Sequence, residues 1–77
     1  MNKIEFSAWE DKPFIVQLEP EALEFSVNPD TILTFIAITH DPEFIWSMRY
    51  SDSYVQLYPE LKGKYEIQVF ENGKLIY

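Results

Sequence analysis

Polar and apolar residues alternate along almost the whole chain, and no stretch keeps a 3.6-residue apolar period for the ten or more residues a stable helix needs. The pattern therefore predicts an all-β protein. Ile4, Phe6 and Ala8 alternate with Lys3, Glu5 and Ser7, and Phe14, Val16 and Leu18 alternate with Gln17 and Glu19. These are two half-buried strands joined through Trp9 to Pro13. Pro13 and Pro20 bracket the second of them, because proline cannot donate to a ladder. Leu23, Phe25 and Val27 alternate with Glu24, Ser26 and Asn28 in a third strand, which Asn28-Pro29-Asp30 ends in a turn.

The segment from Thr31 to Thr39 is apolar on both alternating faces, which predicts a strand covered on two sides or lying centrally, and the best protected of the set. After His40-Asp41-Pro42-Glu43, the residues Phe44, Trp46, Met48 and Tyr50 share one face, opposite Ser47, Arg49 and Ser51. The turn Ser51-Asp52-Ser53 leads into Tyr54 to Tyr58, with Val55 and Leu57 inward and Tyr54, Gln56 and Tyr58 outward. Pro59 to Gly63 is a loop. Tyr65, Ile67 and Val69 then alternate with Glu66 and Gln68. Asn72-Gly73 is the clearest turn signal, since both residues readily take the positive φ of a type I′ hairpin, and Leu75 to Tyr77 closes that hairpin.

Eight short antiparallel strands in 77 residues predict one small domain over residues 1–77, a β-sandwich or else a small twisted barrel. A single open sheet would leave one apolar face wet. The run Leu61-Lys62-Gly63-Lys64-Tyr65-Glu66-Ile67-Gln68-Val69 resembles the corner and following strand of immunoglobulin-like and fibronectin-type sandwiches, in which a tyrosine bonds back to upstream backbone. The resemblance implies an immunoglobulin-like arrangement with Trp46 as the core tryptophan.

Composition supports a folded core, with 47% hydrophobic and 17% aromatic residues, but a chain this short buries only about 60% of its unfolded surface. Its large apolar side chains are needed for packing before chemistry. The formal charge of −7 is one-sided: residues 1–45 hold nine acids against Lys3 and Lys12, whereas residues 46–77 hold four of each sign. Glu5, Glu10, Asp11, Glu19, Glu21 and Glu24 crowd into twenty residues and predict an acidic region on neighbouring strands and turns. Such a field disfavours nucleic acid and anionic lipid, and favours a basic protein surface as partner.

Chemistry has little to work with. The absence of cysteine excludes disulfides, thiolate metal sites and cysteine nucleophiles. His40 is the only imidazole, no nucleophile elbow surrounds any serine, and the two glycines both fall in turns, so no phosphate-cradling loop is available. The expectation is a protein that is not an enzyme and needs no metal or cofactor. With neither a secretory h-region nor a membrane span, the expected location is cytoplasmic.

Two functional readings follow from the residues. The first is a noncatalytic interaction module, an accessory subunit or inhibitor that presents the acidic region to a protein. The second is a small carbohydrate-binding module. It uses Tyr54 and Tyr58 as stacking rings with Gln56 between them as a hydrogen-bonding group, since tyrosines at i and i+4 of a strand share a face roughly 13 Å apart, and Trp9 is a further aromatic surface candidate. The terminal strand at Leu75 to Tyr77 also predicts a monomer that at most forms a weak homodimer by strand addition at the sheet edge.

Overall fold

The computed structural model describes residues 2–77 and is an all-β sandwich of two packed four-stranded sheets, with no closed barrel. The strands are β1 (Asn2–Ser7), β2 (Phe14–Leu18), β3 (Leu23–Val27), β4 (Ile32–Ile38), β5 (Ile45–Ser51), β6 (Tyr54–Glu60), β7 (Glu66–Glu71) and β8 (Lys74–Leu75). One sheet has the order β1-β4-β7-β8 and is called the β4 sheet below. The other has the order β3-β2-β6-β5 and is called the β6 sheet.

Alternation puts one apolar set from each sheet inside. Leu33, Phe35 and Ala37 of β4 and Val69 of β7 meet Val16, Leu18, Val27 and Leu57 of the β6 sheet, all at 1% exposure or less. Phe35 is the hub of this core, since its ring makes edge-to-face contacts with Phe6, Phe25 and Trp46 at 5.6 to 6.4 Å. Such aromatic pairs add about 0.5–1.5 kcal/mol each beyond their burial. Trp46 also packs on Phe44 at 5.0 Å.

Several details differ from the sequence reading, among them that β6 runs on through Pro59 to Glu60, residues the pattern assigned to a loop. The ladders are not all antiparallel: β2 and β6 run parallel, with Val16 opposite Val55 and Leu18 opposite Leu57. A parallel neighbour requires a long crossover, and here the crossover is the whole passage through β3, β4 and β5. The immunoglobulin-like features are also only partly present. Trp46 does reach the core, but it lies on β5, an edge strand of the β6 sheet. Tyr65 precedes β7, is exposed, and makes no side-chain hydrogen bond among the described residues. β4 is central, between β1 and β7, as its pattern predicts. It is covered on one face only, however, and Ile32 and Ile38 are about half exposed on the other.

Turn chemistry fixes the register at the end of the chain. Asn72 and Gly73 have φ of 50° and 83°, and Glu71 pairs with Lys74 around them, as the two-residue type I′ turn demands. The Asn72 side chain has a second task, for its Oδ1 accepts from the Ile32 backbone N–H at 2.7 Å, while the Asn72 backbone N–H donates to the Ile32 carbonyl at 2.9 Å. Beyond Leu75 the chain stays paired: the Val69 carbonyl accepts from both Ile76 and Tyr77, a bulge that lets one residue of β7 face two of the terminal segment.

Candidate functional site

The outer face of the β6 sheet gathers the largest set of sequence-predicted site residues. Because Gln17 pairs with Glu24 on one side and Gln56 on the other, and Gln56 in turn pairs with Arg49, one row of side chains crosses all four strands in the order Glu24, Gln17, Gln56, Arg49. The adjacent row is Ser26, Ile15, Tyr54 and Ser51, and on the other side Tyr58 stands opposite Ser47. This surface is polar and built on strands, so its side chains have fixed spacing.

Hydrogen bonds tie the rows together. The Tyr54 hydroxyl is shared between the Gln17 amide oxygen and the Glu24 carboxylate, the latter at 2.8 Å. Glu19 accepts from the Gln17 amide at 2.7 Å and the Gln56 amide at 3.2 Å, and Tyr58 donates to the Gln56 carbonyl at 3.4 Å. Ser47 donates to Glu60 at the β5 edge. The hydrogen bond to Glu24 holds the Tyr54 phenol above its ordinary value, because ionisation would both break the bond and set two negative charges together.

Of the aromatic surface residues, only Trp9 is widely exposed, at 79%. Tyr54 and Tyr58 do lie on one outer face, yet both are half-buried, packed into the glutamine and glutamate side chains beside them. Trp9 stands apart from them in the β1–β2 connection. With Tyr50, which is 85% exposed, it flanks an open groove of about 450 Å³ floored by Phe14 and Val55. Met48 and Tyr50 share the face of Trp46 but are themselves exposed. They alternate with Ser47 and Arg49 as read, but β5 is an edge strand and only its Trp46 end is covered.

The six acids do not form one cluster. Glu19 and Glu24 belong to the outer face of the β6 sheet, and Glu21 sits in the β2–β3 hairpin beside them. Glu10 and Asp11 are exposed in the β1–β2 connection. Glu5 is on the outer face of the opposite sheet, where Thr34 donates to it at 3.4 Å and Lys3 lies 3.9 Å away. The separation has a simple cause: β1 and β2 are consecutive in the chain but belong to different sheets. Among the described residues Lys3–Glu5 is the single ion pair, so Glu19, Glu21 and Glu24 have no basic side chain within 4.0 Å.

Gln17 and Arg49 are the members of this face that the sequence did not single out. Alternation already turned both outward; what it lacked was the parallel pairing of β2 with β6, which makes them neighbours. His40 is exposed beside a recess lined by Asp41, Lys62 and Lys64. Asp41 itself serves the backbone, accepting from the amides of Lys62 at 2.7 Å and Glu43 at 2.8 Å, and these two bonds lower its pKa. Among the described residues no three histidine, aspartate or glutamate side chains are grouped so as to hold a metal ion, and no helix is long and apolar enough to cross a membrane.

No family model, no curated protein and no solved structure matches the chain.

Proposed function

We propose that this chain is a noncatalytic protein-interaction module that docks the outer face of its β6 sheet on a basic surface of another protein. The observation that carries the reading is the pairing state of Glu19 and Glu24. They share one strand-built face, their positions are held by hydrogen bonds to Gln17, Gln56 and Tyr54, and among the described residues no lysine or arginine lies within 4.0 Å of them. Held carboxylates lose little side-chain entropy when a cation arrives, and complementary charge speeds encounter. Tyr54 and Tyr58 supply the aromatic area that interface centres favour.

A second reading, carbohydrate binding, is favoured by one feature, the placement of Gln56 between two tyrosines on the same face. It predicts glycan binding that is lost in a Tyr54→Ala, Tyr58→Ala variant. The two readings separate in one comparison. Affinity capture with the wild-type chain should retain proteins of basic isoelectric point, and Glu19→Lys with Glu24→Lys should weaken that capture by about 10-fold or more. The control Glu5→Lys with Glu10→Lys changes net charge equally but lies off the face, and should leave capture nearly intact. Equal loss in both variants would reduce the effect to net charge alone and refute a specific face.

A further inference from the structure

The outer face of the β4 sheet is the least explained surface of the molecule. β4 is flanked on both sides by paired strands, so its alternation is locked, and Ile32, Ile36 and Ile38 must all point away from the core that Leu33, Phe35 and Ala37 fill. In the neighbouring strands Phe70 stands opposite Thr34, and Leu75 opposite Phe70, on the same outer side. Ile32, Ile38 and Leu75 are 51%, 47% and 53% exposed. An antiparallel sheet with one solvated face normally carries polar residues there, and a central strand apolar on both faces is the mark of a strand covered twice. The sandwich supplies only one cover.

We infer that the second cover is another copy of this chain, giving a two-fold dimer that packs face to face through the outer side of the β4 sheet. Charge selects a like copy. This face carries only Lys3, Glu5 and Glu66 among its strand residues, whereas Glu19, Glu21 and Glu24 belong to the opposite sheet and its hairpin. Two chains of charge −7 can therefore meet here with their densest acidity turned away from each other. Lys3 and Glu5 are moreover self-complementary. They lie two residues apart on the outer side of β1, so an axis that reverses one β1 against the other sets each Lys3 beside Glu5 of the other copy. Such isologous matching is what a two-fold interface requires. Size permits it as well, since a molecule of 38 × 26 × 18 Å has broad faces that can bury the ~800 Å² per partner of a standard interface.

This arrangement differs from strand addition at the β8 edge, and it leaves the outer β6 face free, so it stands or falls independently of the proposed function. Sedimentation or light scattering should give twice the 9.2 kDa monomer mass, and Ile32→Lys with Ile38→Lys should return it to the monomer with an unchanged far-ultraviolet spectrum. Because both isoleucines are exposed, the core does not depend on them. Lys3→Glu should weaken the dimer by about 10-fold, and adding Glu5→Lys should restore it. A wild-type chain that stays at 9.2 kDa up to about 1 mM overturns the inference. So does a dimer indifferent to the isoleucine substitutions.

Discussion

Asp41 shows how a single side chain here is committed to structure. It sits between β4 and β5, and its two carboxylate oxygens take up the Glu43 amide and, from the loop before β7, the Lys62 amide, thereby joining two connections that are far apart in sequence. Those bonds favour the charged form, so its pKa in the folded chain lies below the ordinary 3.8. The resulting stabilisation is complete above that ordinary value and is lost as pH falls through the lower folded value. Asp41→Asn keeps the shape and removes the charge. Thermal unfolding of both proteins should show a gap that is constant near neutrality and closes on the acid limb; a gap that persists undiminished in strong acid would contradict the assignment. At this scale the sequence was readable for the core. Val16, Leu57 and Val69 follow from alternation alone, whereas Phe35 lies in a segment apolar on both faces and is turned inward by the pairing of β4 with β1 and β7. The capping duty of Asp41 was not readable, because its partner amide at Lys62 is twenty-one positions away.

Elements are where local chemistry and long-range pairing part company. The turn of the β7–β8 hairpin was legible, because Asn72-Gly73 encodes it within two residues and both positive φ angles appear as the dipeptide implies, although the closing strand is Lys74–Leu75 rather than Leu75 to Tyr77. Gly73→Ala should cost about 1–2 kcal/mol, the ordinary penalty for a Cβ in the left-handed region, even though nothing lies within 4 Å of the space a Cβ would fill. Chemical denaturation is the measurement, and a neutral result would mean that the hairpin had rearranged. By contrast, the parallel contact of β2 with β6 was not legible: half-buried strands look alike whether their neighbour runs with them or against them, and the crossover through three intervening strands leaves no local mark. β4 was legible as a central strand. Its missing second cover became visible only when its neighbours were in place, and that gap is the origin of the dimer inferred above.

For the whole molecule, the decisive fact is how two sheets divide an uneven charge. The sequence places six acids close together along the chain, yet the sandwich sends β1 to one layer and β2 with β3 to the other, so Glu5 is parted from Glu19 and Glu24. What remains is a molecule with two unlike broad sides. One is largely apolar with the Lys3–Glu5 pair and Glu66, and the other is a lattice of Gln17, Gln56, Tyr54 and Tyr58 that holds two carboxylates with no lysine or arginine within 4.0 Å among the described residues. The groove flanked by Trp9 and Tyr50 opens near the β5 edge and touches the second side only at Ser51 and Tyr54. The central claim is that binding belongs to the second side, and chemical-shift mapping tests it most directly, with the ¹⁵N-labelled chain titrated by the basic protein recovered in affinity capture. The account predicts the largest shifts at Gln17, Glu19, Glu24, Gln56 and Tyr58, with little change along β7. Shifts centred on Ile32, Ile36 and Phe70, or on Trp9 and Tyr50, with the β6 face unmoved, would contradict it.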